Sequence, residues 1–303
     1  MIVRPNLHWF RMIFVLRGSV LVDIVPQLIL TTAFAGVVTV LHGHLGQWKV
    51  PLSFVPFPLI GLTLAIFLGF RNSTSYARYW EARNLWGAIL NESRTLARQS
   101  LTLPRDASHA AQFVRRLIAF SHALRHQLRG TDPSADLARL LPPEDCDRLA
   151  CAQFKPAVVL QMMGEWLREM RERALIEPVL VPAMELPLHR LTETLGGCER
   201  IANTPIPFTY AVIVHRVIYL YCFLLPFGLV DSIQEMTPLI VAFISYTFFA
   251  LEALGAEIED PFGTAPNDLP LDALSWTIEA TLRETLGEAE CPAKPEPTRY
   301  ILT

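Results

Sequence analysis

The sequence predicts an all-α integral membrane protein, with four transmembrane helices and a cytosolic helical region. Three observations predict it. Four stretches are apolar enough to cross a bilayer, basic residues crowd one side of them, and a long polar stretch between the second and third lacks strand alternation. The composition agrees: of 303 residues 51% are hydrophobic, and the mean hydropathy is +0.32. That leans away from a soluble domain.

A helical crossing needs roughly 20 residues. The first span is about 20–41, VLVDIVPQLILTTAFAGVVTVL, and the second about 54–70, FVPFPLIGLTLAIFLGF. The third is about 208–230 and the fourth about 237–256. Pro56 and Pro58 predict a bent or re-entrant start to the second span, with its helix beginning near Leu59.

Charge orients the spans. Arg4, Arg11 and Arg17 precede the first, and Arg71, Arg78, Arg83, Arg94 and Arg98 follow the second. The 42–53 loop offers only Lys49, and 231–236 has no basic residue. The positive-inside rule therefore places both termini and segment 71–207 in the cytoplasm. No cleavable signal is expected, because no long apolar segment precedes the arginines.

Segment 71–207 reads as helices. The second span runs on to about Gln99 with no proline, a helix of about 60 Å from Leu59. Further helices are expected from Pro104 to a glycine cap at Gly130, over 156–174 and over 181–202, with shorter ones in the proline-rich patch at 132–143. The tail, 287–303, reads as flexible.

Other function classes receive little support. There are 26 Lys+Arg against 29 Asp+Glu, so no basic surplus exists for a nucleic-acid partner. Cys146, Cys151, Cys198, Cys222 and Cys291 form no CxxC pair, so neither a disulfide frame nor a zinc site is expected. No nucleotide-binding loop, nucleophile elbow or credible triad is present, and the chain is expected to be no enzyme and to need no cofactor. His42 and His44 make HxH in an outer loop, and His122 and His126 share a helix face. Surface or core roles suit both pairs.

The second span is the most informative. Gly61, Ala65 and Gly69 form a small stripe along which another helix can approach. Leu62, Ile66 and Phe70 form a bulky apolar stripe beside it. In a ring of subunits the bulky stripe would stack apolar rings around an axis, a constriction able to gate by dewetting. On periodicity alone both stripes are more often buried packing, since such small-residue stripes are common in membrane helices. Arg71 is expected at the inner membrane edge, below that constriction if Phe70 lines it.

Charged residues inside spans need partners. Asp23, His215, Arg216 and Glu252 are such residues, and an ion pair between Arg216 and an acid on another helix is expected. The acidic turn Glu259-Asp260-Pro261-Phe262-Gly263, with Asp268 nearby, offers carboxylates for weak divalent-ion binding or a capped surface turn.

Several long patches in fixed order resemble the bestrophin family in its prokaryotic branch. They are IFLGFRNSTSYARYWEARNLWG (66–87), LGGCERIANTPIPFTY (195–210), the arginine-bearing third span and EDPFGTAPNDLPL (259–271). The match extends from Arg4-Pro5 to about residue 285, so 1–303 reads as a single bestrophin-like unit. The resemblance implies a homopentamer with one axial pore, whose partners are the lipid bilayer and permeant monovalent ions.

It assigns the pore neck to Leu62, Ile66 and Phe70, and a cytosolic aperture to Val179, flanked by Pro178 and Pro182. Animal members carry a calcium clasp after an Asn-Pro-Phe-Gly turn. Here Asp260-Pro261-Phe262-Gly263 matches the turn, but only Asp268 stands for the acids that follow. Animal and plant members conduct chloride and other anions, whereas prokaryotic members favour monovalent cations. Asp231 and Glu235 in the outer loop incline the expectation toward cations, with a chloride channel as the alternative. The expected location is the bacterial inner membrane. A secondary transporter, or a membrane enzyme or scaffold working through His122 and His126, is the remaining alternative.

Overall fold

A computed structural model describes residues 1–4, 8–16, 18–45, 48–50, 52–288 and 292–303. Pro5, Arg17 and Cys291, used in the sequence reading, lie outside the described residues.

Among the described residues the fold is helical apart from a two-rung antiparallel ribbon, His44–Leu45 with Trp48–Lys49. The helices are α1 (Trp9–Ile13), α2 (Leu21–Val40), α3 (Phe57–Thr102), α4 (Ala110–Arg129), α5 (Ser134–Leu140), α6 (Pro143–Ala150), α7 (Lys155–Glu172), α8 (Val181–Asn203), α9 (Phe208–Ile233), α10 (Thr237–Glu257) and α11 (Leu271–Thr285). The chain divides into two compact units. One comprises 4–79 and 205–260; the other comprises 1–3, 80–204 and 261–303.

The first unit holds the apolar helices. The stretches long and apolar enough to cross a membrane are Leu21–Val40, α3 and the 50-residue stretch Phe208–Glu257. That last stretch is two helices, α9 and α10, joined by a 3-10 turn at Gln234–Met236. Gln234 takes φ 48°, which reverses the chain. The helices run antiparallel: the Tyr219 and Phe249 rings lie 5.0 Å apart, and His215 meets Glu252 at 2.7 Å. The third and fourth predicted spans therefore fold back on each other. α10 also packs on α2, and α2 on α9. Leu64, Leu68, Ile218, Cys222, Leu225, Val241 and Phe249 form the core between them.

α3 is continuous for 46 residues, about 70 Å at 1.5 Å per residue. Pro56 and Pro58 produce no re-entrant segment. The helix starts at Phe57, so Pro58 occupies its first turn, where the missing N–H has no intrahelical acceptor to lose. Its opening turn is closed by Phe57 N–H donating to the Phe54 carbonyl (3.1 Å) and Ile60 N–H to that of Pro56 (3.1 Å).

The second unit is amphipathic helices around α4, which is buried along most of its length. The Phe113 ring lies 4.6 Å from Trp166 of α7, whose indole N–H donates to the His109 carbonyl. α4 ends in a left-handed Gly130 (φ 64°), with Thr131 N–H returning to the His126 carbonyl. Its start is later than Pro104, because Asp106 accepts from the Ser108 N–H at 2.9 Å and fixes a 3-10 turn first.

α11 is not among the helices expected from the sequence, although Leu271, Ile278 and Leu282 supply a buried face at helical spacing. The end of the tail makes backbone hydrogen bonds to the first residues and to α11. The Met1 ammonium donates to the Leu302 carbonyl (2.6 Å), Val3 N–H to that of Tyr300 (2.8 Å), and Ala273 N–H to that of Thr303 (3.0 Å).

Gly228 of α9 is required by close packing. A Cβ there would lie 2.5 Å from the buried Phe57 ring. Gly228→Ala should cost about 1–3 kcal/mol through overpacking, read as a lower unfolding temperature in detergent. Gly69→Ala, where a Cβ meets nothing within 4 Å, should leave that temperature nearly unchanged.

Candidate functional site

The face of α3 opposite its buried side is the candidate site. Leu64, Leu68, Arg71 and Ser75 are buried. At 100° per residue, Leu62, Ile66 and Phe70 point about 170° away from them. Their exposures are 60%, 49% and 65%. Three large apolar side chains thus form an uncovered stripe opposite the buried side of the helix, with Leu59, Ile60 and Phe67 exposed beside it. Packing within this chain does not account for them.

The small stripe is divided in its use. A Cβ at Gly61 would lie 3.1 Å from the Tyr221 hydroxyl, so α9 of the same chain occupies that position. Ala65 and Gly69 are exposed.

Arg71 does not open onto the face of Phe70. It is 6% exposed, and its Nη2 lies 3.6 Å from Glu259 Oε2. Glu259 also accepts from the Ile206 N–H (3.2 Å), and its carbonyl accepts from Arg78 Nε (3.2 Å). The inward turn satisfies a charge that would otherwise face hydrocarbon. The expected ion pair also differs in its member: His215, one residue before Arg216, meets Glu252, while Arg216 is exposed. One residue is 100° around a helix, which decides which of the two faces α10.

The acidic turn is engaged by the protein itself. Glu259 and Asp260 end one unit, and Asp268 belongs to the other. Buried Asp268 accepts from the Ala265 N–H at 2.7 Å and closes its own turn. Among the described residues no group of three or more His, Cys, Asp or Glu side chains is placed to hold a metal ion. Lys49 Nζ contacts Asp231 at 2.8 Å and offsets one of the two acids from which cation preference was expected. Val179, the expected aperture residue, lies in a 3-10 turn, Pro178–Leu180, just before α8, and is 77% exposed.

His122 and His126 belong to an ion network joining α4, α5 and α11. His122 Nε2 is 2.8 Å from Glu279, and its Nδ1 is 3.4 Å from Asp136. Arg139 and Arg283 also contact Glu279, and Arg125 contacts both Asp136 and Asp272. Burial alone would lower the His122 pKa, but the two carboxylates outweigh it and raise it. Burial would likewise raise Glu279, yet His122 and Arg139 pull it down to about 2. The neighbouring His122 and His126 hold Asp136 well below the ordinary carboxylate range. Sequence spacing put the two histidines on one face but could not supply their acids, which come from helices 10 and 157 residues away. In α8, Cys198 is buried and its thiol is pushed up to about 12, so it is inert at neutral pH.

The architecture defines a class: a helical membrane protein with an uncovered apolar stripe on its longest helix and a polar helical unit attached to it. Comparison with known proteins then gives the family. Residues 1–284 match the family model described as Bacterial/Fungal Bestrophin protein, and the chain belongs to the bestrophin family. It is 46% identical over 305 residues to a protein of Ralstonia nicotianae named voltage-dependent anion channel-forming protein, covering 100% of both chains. It is 45% identical over 303 residues to the Escherichia coli protein of that name, covering 99% of each. A crystal structure of a bacterial bestrophin homologue from Klebsiella pneumoniae superposes with a TM-score of 0.84 at 43% identity, covering 88% of this chain and 100% of that one.

The ion network sets a pH dependence for the second unit. Glu279 and Asp136, with lowered folded-state pKa values, contribute fully above the ordinary carboxylate range. Their contribution is lost as pH falls through the folded-state values, toward about 2 for Glu279. His122, raised from 6.5, contributes below that value and stops contributing as pH rises through its folded pKa. Thermal unfolding followed against pH should show both limbs. Glu279→Ala strands His122, Arg139 and Arg283 together, and should cost about 3–5 kcal/mol and flatten the acid limb.

Proposed function

We propose that this chain is one subunit of a homopentameric ion channel that passes monovalent ions passively through an axial pore. The observation that carries the proposal is the exposed stripe Leu62, Ile66 and Phe70, set opposite the buried face of α3. Five copies around an axis would turn it into three stacked apolar rings. Such a neck excludes ions when narrow and dry, and admits them when wetted. The names of the relatives, which describe channel-forming proteins, support the same class. Val179, exposed on the turn before α8, is the residue proposed for a second ring at the cytosolic exit. The proposed topology has four crossings, by α2, the apolar part of α3, α9 and α10. Both termini and segment 71–207 lie in the cytoplasm, and the membrane is the bacterial inner membrane.

An apolar neck carries no charge and selects no sign; the mouths do. With Asp231 bridged to Lys49, Glu235 is the outer acid left to favour cations. The relatives' names refer to anions. The reversal potential in planar bilayers under a KCl gradient assigns the permeant ion, lying toward the potassium equilibrium potential for a cation pore and the chloride potential for an anion pore.

In the same bilayers, the triple variant Leu62→Ala, Ile66→Ala and Phe70→Ala should raise open probability or conductance at least severalfold, because wider and less apolar rings stay wet. Unchanged current would remove these residues from the pore wall. Val179→Ala should change unitary conductance without producing that increase in open probability.

A further inference from the structure

The unit that holds the apolar helices contains a polar pocket of about 240 Å³, at the end of the bundle where α2 and α9 begin and α10 ends. Asp23, Gln27, Arg71, His215, Tyr219 and Glu252 line it, above an apolar floor that includes Phe249. Its position matters. Asp23 is in the first turn of α2, His215 two turns into α9, and Glu252 five residues before the end of α10. In a membrane protein that is the level of head groups and the first acyl carbons, where a polar pocket needs an occupant other than hydrocarbon.

The lining separates into two chemistries. Arg71 is 6% exposed, and its Nε has no acceptor among the described residues. Arg71 is in the pocket lining, a buried donor with hydrogen-bonding capacity left over, suited to a phosphate or carboxylate oxygen. Against it stand two carboxylates. Glu252 holds His215 at 2.7 Å through one oxygen, and Asp23 is exposed at the rim. Tilted rings complete the wall: Tyr219 lies 4.4 Å from His215 and 5.0 Å from Phe249. Carboxylates beside aromatic faces suit an organic ammonium. A volume of about 240 Å³ has room for a small head group such as phosphoethanolamine.

We infer that this pocket binds a zwitterionic phosphoethanolamine group, with its ammonium between Asp23 and Glu252 against the Tyr219 ring and its phosphate on Arg71. The group can be the head of phosphatidylethanolamine or free phosphoethanolamine; the recognition chemistry is shared. The site is independent of the pore stripe, because Arg71 and Phe70 point to different sides of α3.

Native mass spectrometry of the intact detergent-solubilised protein tests it, with phosphatidylethanolamine and phosphatidylglycerol of identical acyl chains as probes. Both offer a phosphate, but only the first offers an ammonium. Phosphatidylethanolamine should bind about tenfold more tightly, the worth of one charge-assisted hydrogen bond. The double variant Asp23→Asn, Glu252→Gln should lose that preference while still retaining phosphatidylglycerol. Should the double variant aggregate, Asp23→Asn alone, at an exposed position, should reduce the preference severalfold. Displacement of the lipid by soluble phosphoethanolamine marks the free compound as a ligand; binding of the lipid without such displacement marks the lipid. Equal retention of the two lipids by the unaltered protein, or a preference that survives the substitutions, overturns the proposal.

Discussion

Hydrocarbon offers no hydrogen-bond partner, and the rest of this structure follows from that constraint. Each backbone N–H and C=O within the bilayer must be satisfied by its own segment, which leaves helices as the economical solution for α2, α3, α9 and α10. The same constraint acts on side chains. Arg71 turns from the apolar face of α3 toward Glu259, and His215 turns toward Glu252 on the antiparallel neighbour. With these charges answered inside the protein, the outward faces are free to be apolar. Leu62, Ile66 and Phe70 are apolar on an exposed face of α3.

The polar unit solves the opposite problem. Burial of apolar surface drives its assembly, and α4 supplies the centre with Phe113, Leu117, Phe120 and Leu124. Charges enter this interior only as a mutually satisfied set. Glu279 is 1% exposed, yet it meets His122, Arg139 and Arg283. A network of this kind fixes the register of α11 against α4 and α5, because any slip would separate buried opposite charges.

α3 belongs to both regimes. Its apolar half contributes Phe57, Leu64 and Leu68 to the core of one unit, and its later half contributes Trp86, Ile89 and Leu96 to the core of the other. A helix of 46 residues without an internal proline carries its backbone hydrogen bonding through the change of surroundings, so no interface has to be sealed by a loop.

The apolar stretches, the continuity of α3 and the two stripes at 61–70 were legible in the sequence by itself. Hydropathy, the absence of breakers and a four-residue spacing are local properties, written in neighbouring positions. The patches at 66–87, 195–210 and 259–271 likewise carried the family. Only the tertiary structure decided which face of each helix is covered. It turned Arg71 inward, selected His215 over Arg216 as the partner of Glu252, and gave Gly61 to Tyr221 of the same chain. It joined His122 to acids far along the chain and tied the last residues to the first. The physical reason is common to these cases: a side chain's partner depends on rotation about a helix axis and on which helix packs beside it, and neither is set by the residues next to it in sequence.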